Sequence, residues 1–384
     1  AEASQGLVWG RHAEALLERR GDEAFTLKGA YLNSLASVYS SNGQYKEALN
    51  TADQALREER ARLGEEHPRI AALLTLRGSI LRHLGRYDES IASLQDAIEI
   101  LRTSLGDDHP KVADALNNLG TTLSDRRDLL GAQHALEESL SIRERTLGRN
   151  HPEVASSAHN LGVALMGQGK YDEAESAFKR AVEIRESLDH DPHLSDPIIS
   201  LGNIYLLRGQ SQAALAAYRR ALAIDIEVFG ADHPNISYSR NNVGTALWLT
   251  GELEGAENEL RAALTQMEER LGPDHPILAA PLLGLAEIAL DRAKPQQARK
   301  LLERALPLAR DWSVAERARI QFADARARWL IKQGQEHEQE QEQEQERARA
   351  DANRALADLE AGGQPQAIFA TRNRTWLEGL PAMR

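Results

Sequence analysis

Five histidines, each followed by proline, are the residues whose type and spacing first suggest chemistry: His67, His109, His151, His233 and His275. Imidazole nitrogens bind zinc and similar ions, but three or four of them must gather at about 2 Å around one ion. The steps from 67 to 109, from 109 to 151 and from 233 to 275 are each 42 residues. One histidine per 42 residues sets successive rings a whole structural unit apart, too far to share an ion. The pattern is therefore read as a connector residue at the mouth of a helix, and no metal or other cofactor is expected. Cysteine is absent, which excludes thiolate ligands, disulfides and cysteine nucleophiles and fits a reducing compartment. There is no His-Glu-x-x-His, Gly-x-Ser-x-Gly, phosphate-binding loop or dinucleotide-binding glycine motif. Paired carboxylates are common only because 27% of the residues are charged. No catalytic constellation emerges, so these residues are not expected to be an enzyme, whatever lies outside them.

The histidines belong to a longer beat. A glycine turn keeps the same period, as Gly43-Gln44-Tyr45, Gly85-Arg86-Tyr87, Gly169-Lys170-Tyr171, Gly209-Gln210-Ser211 and Gly251-Glu252-Leu253. From His151 to His233 is 82 residues, so a repeat shortened by two residues lies between them. Such a period marks stacked supersecondary units, none of which can bury its apolar face alone. In one copy Ala113, Leu116, Leu119 and Leu123 follow the spacing of an amphipathic helix, and Ala132, Leu136 and Leu140 mark the face of a second. Gly148 stands where a helix end needs positive φ, and Pro152 suits the first position of the next helix. Each unit reads as helix A, a tight turn, a longer helix B and a Leu-Gly-x-x-His-Pro connector. Glycine recurs inside helix A at Gly78, Gly120, Gly162, Gly202 and Gly244, with Ala36 and Ala286 at the same place. A mid-helix glycine costs about 1 kcal/mol relative to alanine. Close approach of a neighbouring helix is the packing reason that would justify it.

Leu-Gly in helix A, the Gly-x-Tyr turn, and Ala48 with Ala55-Leu56 in helix B resemble the tetratricopeptide repeat. The 42-residue period, the Leu-Gly-x-x-His-Pro connector and Ala115-Leu116-Asn117-Asn118-Leu119-Gly120 resemble its kinesin-light-chain-like variety, over seven copies across about residues 30–310. The resemblance implies an all-α, right-handed superhelical solenoid that is a protein-interaction module, with helix A lining a concave groove. The Ala/Arg/Glu-rich opening and the closing Trp-Leu stretch resemble the C-terminal repeat region of bacterial serine/threonine kinases. That implies the sensory or recruiting part of a cytoplasmic bacterial signalling protein.

By the same resemblance, groove positions fall three and two before the packing glycine and one after it. Three before stand Asn33, Thr75, Asn117, His159 and Asn241; two before, Asn118, Asn160 and Asn242; one after, Asn203. An amide offers two donors and an acceptor, which suits the backbone of an extended peptide. The competing reading is that these amides tie neighbouring helices together. Arg82 lies near one end of the groove. Tyr238 and Trp248, in the sixth copy, are candidates for an aromatic anchor, against the alternative that Trp248 packs on its own neighbours. The partner implied is a protein or peptide. The alternative function is a self-association scaffold that multimerises its parent; light scattering separates a monomer from a stable oligomer. A net charge of −12 and a pI near 5.6 argue against a nucleic-acid partner. No apolar run approaches the roughly 20 residues of a membrane span, and no secretory signal opens the chain, so insertion into a membrane is not expected.

Residues 1–29 read as an N-terminal capping helix, 30–310 as the seven repeats, and 311–384 as a degenerate eighth repeat with a closing cap. Ala318 to Gln333 can be helix A of that eighth copy, with Ala323, Ala327 and Leu330 on its face. Gly334 to Ala348 is fourteen residues, against five from Gly251 to Ala256. The nine extra residues coincide with the Glu-Gln tract from Glu338 to Glu346, which has nothing apolar to bury. It is read as a solvated helix extension or as disorder, and as dispensable, against the alternative of an acidic docking strip. Pro365 to Leu377 predicts a last amphipathic helix anchored by Ile368, Phe369 and Trp376. The chain opens on Ala1 rather than Met, which suggests a piece of a longer protein.

Overall fold

The computed structural model describes residues 25–188, 190–332, 338–363 and 366–380. Among them the regular structure is helical throughout. Seven helix pairs follow one another: α1 (Phe25–Ser41) with α2 (Tyr45–Leu63), α3 (Pro68–His83) with α4 (Tyr87–Leu105), α5 (Pro110–Asp125) with α6 (Leu129–Leu147), α7 (Pro152–Gly167) with α8 (Tyr171–Glu186), α9 (Ser195–Leu207) with α10 (Ser211–Phe229), α11 (Pro234–Thr250) with α12 (Leu253–Leu271), and α13 (Ala279–Asp291) with α14 (Pro295–Leu308). An eighth pair, α15 (Val314–Lys332) and α16 (Glu338–Ala361), precedes a closing helix, α17 (Ala367–Glu378). The expected capping helix at the start lies almost wholly outside the described residues.

The chain divides into two compact units, residues 1–184 and 185–384. In the first, α1, α3 and α5 each pack on their own second helix and also touch the first helix of the next pair, α1 on α3, α3 on α5 and α5 on α7. In the second the same holds for α11, α13 and α15. First helices that adjoin one another form the inner layer of each unit, and second helices the outer.

The connector histidines are helix caps. In all five, the imidazole Nδ1 accepts a hydrogen bond from the backbone N–H two residues on: His67 from Arg69 at 3.1 Å, His109 from Lys111 at 3.2 Å, and His151, His233 and His275 from Glu153, Asn235 and Ile277 at 3.3 Å. Proline follows at the first helical position in each, where its missing N–H forfeits nothing. The acceptor satisfies one of the orphan amides of the helix start. The shortened fifth copy has no His-Pro. There the buried Asp191 binds Arg185 through both carboxylate oxygens, at 3.0 and 2.8 Å, and accepts from the His193 N–H at 2.8 Å.

The mid-helix glycines meet large side chains sixteen residues later. A Cβ at Gly78, Gly162 or Gly244 would come within 2.6 Å of Leu94, Phe178 or Leu260, and those at Gly120 and Gly202 would strike Leu136 and Tyr218. Where the first pair has Ala36 instead, the facing residue is only Ala52, and both are fully buried. Volume is thus exchanged across the contact rather than lost. Arg143 on α6 is buried and clamps its flanks, binding Asp114 at 2.7 Å, the Glu153 carbonyl at 2.9 Å and Ser157 at 2.8 Å.

At the C-terminal end, the helix expected over 365–377 is present as α17, with Phe369, Ala370 and Leu377 buried. The Glu-Gln tract is the first part of α16, and it is not simply solvated. Glu344 pairs with Arg328 of α15 at 3.2 Å, beside Asp324 at 2.9 Å and Asp351 at 2.8 Å. An arginine facing the tract recruits it, which composition alone does not reveal.

Candidate functional site

The first helices of the first unit carry Asn33, Thr75, Asn117, Asn118, His159 and Asn160, one or two on each of α1, α3, α5 and α7, all partly exposed. Asn160 Nδ2 donates to Asn117 Oδ1 at 3.0 Å, joining α7 to α5. Arg82 donates to Asp125 at 2.8 Å, joining α3 to α5. In each pair the partners stand 43 residues apart, one period plus one. Thr75 donates to the carbonyl of Ala71 in its own helix at 2.9 Å. His159 lies tilted against the fully buried ring of Phe178, with centroids 5.5 Å apart. Asn117, Asn160 and Arg82 therefore tie adjacent first helices while remaining partly exposed; the two readings of the amides are not exclusive.

The second unit is arranged differently. Asn203 accepts from the Tyr218 hydroxyl at 2.7 Å, and burial pushes that phenol well above its ordinary range. Asn242 is partly exposed, while the Oδ1 of Asn241 is buried without a hydrogen-bond partner. Tyr238 is 44% exposed and Trp248 only 2%. Ten residues of α-helix set them roughly 15 Å apart along α11, so they form no joint anchor.

What covers Trp248 is α17. Phe369 stacks on the indole with centroids 6.3 Å apart and planes inclined by 10°. The Arg372 guanidinium lies 4.3 Å from the indole centroid and hydrogen-bonds Asp291. Trp248 Nε1 donates to the same carboxylate at 2.8 Å, and Arg326 reaches it at 3.1 Å. Beside it, Glu287 accepts from Arg319 at 3.0 Å, and that guanidinium sits 3.4 Å above the Phe369 ring. Burial raises the Glu287 carboxyl above the ordinary range, against the opposing pull of Arg319 and Arg372. Further along, Trp376 meets Phe322 and Trp329 of α15 edge-on, at 5.6 and 6.5 Å. Through these contacts and its approach to α9, the closing helix lies across the first helices of the second unit, on the inner face. Reading the residues of the sixth copy alone missed this. A signal was available in α13, whose residues from Ala279 to Leu290 are apolar but for Glu287; a helix apolar on nearly all sides needs cover on nearly all sides.

The sequence profile of the tetratricopeptide repeat matches residues 27–102, 69–144, 124–187, 197–269 and 240–311, most of the chain. This chain belongs to the tetratricopeptide repeat family. Similar solved structures include BtubC (BKLC) from P. vanneervenii, 26% identical over 60% of this chain and 91% of that one, with a TM-score of 0.49. A kinesin-light-chain-type chain of nearly identical TPR-like repeats from Podosopora anserina is 22% identical over 53% and 97%, with a TM-score of 0.47. The apo form of RapI is 13% identical over 73% and 97%, with a TM-score of 0.55. A search of curated protein sequences returned no match. Tetratricopeptide repeats are a non-catalytic scaffold type that generally serves protein interaction. Among the described residues of this repeat array, no helix is long and apolar enough to cross a membrane, and no group of three or more His, Asp or Glu side chains is placed to hold a metal ion.

Proposed function

We propose that this tetratricopeptide array is an interaction module that holds a peptide or extended protein segment along the inner face of its first unit. The observation that carries the reading is the polar row on α1, α3, α5 and α7, in which Asn33, Asn117, Asn118 and Asn160 remain partly exposed in register. Amides at regular intervals match the alternating donors and acceptors of an extended backbone and demand little of its sequence. The wider role is the sensory or recruiting region of a bacterial cytoplasmic signalling protein such as a serine/threonine kinase. The resemblance of both chain ends to that class supports it. The complete reading frame around these residues, and fractionation of the host cell, test that placement.

The groove itself is tested with a displayed random peptide library selected on the immobilised chain. Recovered peptides are titrated by calorimetry against the parent and against a variant with Asn33, Asn117 and Asn118 replaced by alanine. Each hydrogen bond removed contributes about 0.5–1.5 kcal/mol net, so the variant should bind at least about tenfold more weakly, while the melt should move little because the better helix preference of alanine offsets the lost Asn117–Asn160 bond. Peptides that bind parent and variant equally would place the site elsewhere.

A further inference from the structure

The closing helix occupies its groove in the manner of a ligand. α17 is 12 residues long, and a free helix of that length is marginal in water. It follows α16 through Gly362 and Gly363, the latter at φ 72°. Its contacts run along the whole helix, with Trp376 on Phe322 and Trp329 near its end, but those with Trp248 and Asp291 come from one turn: Phe369 between Trp248 and Arg319, and Arg372 across Trp248 to Asp291. An aromatic anchor in a buried pocket with an adjacent charge-assisted bond is the usual composition of an interface hot spot. Two turns before Trp248 on α11, the buried Asn241 Oδ1 still has no donor.

We propose that the inner face of the second unit is a receptor for an amphipathic α-helix carrying an aromatic side chain followed three residues later by an arginine, and that α17 is its resident, displaceable occupant. The partner is a helix of that chemistry in another protein. While α17 is docked the surface is closed. A partner helix opens it by taking over the Trp248 stack and the Asp291 carboxylate, and the released α17 unfolds. This deepens the interaction-module reading but concerns the opposite unit, so failure of the peptide selection on the first unit leaves it standing, and the reverse holds too.

The probe is a synthetic peptide of residues 364–380, tested on the full chain. In wild-type protein, excess peptide should speed amide hydrogen exchange in α17 at least tenfold, while a control peptide with both the phenylalanine and the first arginine replaced by alanine should not. A fluorescein-labelled copy should bind a Phe369→Ala/Arg372→Ala chain at least tenfold more tightly than wild type, and the further substitution Trp248→Ala should abolish that binding. Unchanged exchange in α17 would overturn the proposal and make the helix a fixed cap. So would equal affinity of wild type and double variant, or binding indifferent to Trp248. If the double variant does not fold, the exchange measurement on wild type decides alone.

Discussion

At the scale of single residues, the most repeated feature is a capping imidazole. Each connector histidine accepts at Nδ1, so its proton must sit on the other nitrogen. Replacing His109 by alanine orphans the Lys111 N–H and should cost about 1 kcal/mol, whereas His109→Asn keeps an acceptor and should cost little. Urea unfolding of the two variants checks this; equal losses would mean the ring contributes by packing alone. Glu287 carries a different signature. Its carboxyl is 7% exposed and raised above the ordinary value of 4.5, chiefly by burial. A raised folded value means that the folded protein holds the proton more tightly. The stability this group contributes is therefore full below about pH 4.5 and is lost as pH rises through the folded value. Relative to Glu287→Gln, which does not titrate, the wild type should be favoured most in acid and lose ground steadily toward neutrality. Melts of both proteins across that range would show the opposite slope, with the wild type gaining as pH rises through about 4.5, if the carboxylate were instead held ionised by Arg319.

At the scale of helices, the decisive contact is a glycine against a bulky side chain. Gly162 faces the Phe178 ring, and a Cβ would meet it at 2.6 Å. The ring is fully buried and cannot swing aside as the end of a flexible chain would. Gly162→Leu should destabilise by about 1–3 kcal/mol or more through overpacking, although leucine is the better helix former by close to 1 kcal/mol. A denaturation midpoint at or above that of the parent would contradict the contact. The same logic explains why the first pair tolerates Ala36: its partner Ala52 has already given up the volume. It also explains Arg127 and Ala293, which adopt φ of 71° and 55° where the other turns place glycine. There the hydrogen bonds closing the turn, from Arg127 N to Ser124 and from Ala293 N to Leu290, hold a backbone that an L residue alone disfavours.

At the scale of the whole array, stability is carried from neighbour to neighbour. Among the described residues of the first unit, the substantial contacts between pairs are with the pairs beside them along the chain, as a quasi-one-dimensional stack requires. Damage at Gly162 should therefore spread with decreasing strength. Hydrogen exchange of Gly162→Leu should show the greatest loss of protection in α7, a smaller one in α5 and α6, and the least in α1 and α2. Uniform loss over all these helices would mean that the unit opens as a single block.

The periodicity alone was enough to determine the helix pairs, their turns and the small-residue contact, because each is a local pattern copied seven times: Gly148 ends a helix wherever it sits, and Gly162 makes room for whatever follows sixteen residues later. The candidates for the polar row of the first unit were legible for the same reason, since Asn33 and Asn117, and Asn118 and Asn160, recur in register. The bonds that join the row were not, because the 43-residue offset between Asn117 and Asn160 or Arg82 and Asp125 depends on how adjacent first helices stagger. Arg328 drawing Glu344 onto α15, and Phe369 and Arg372 closing over Trp248 and Asp291, lay further still from view. Those contacts pair residues 16, 121 and 81 positions apart that share no repeat position. Only the folding of the chain brings them together, because an amphipathic helix with an unfilled apolar face takes the nearest surface that buries it, and local sequence does not encode where that surface lies.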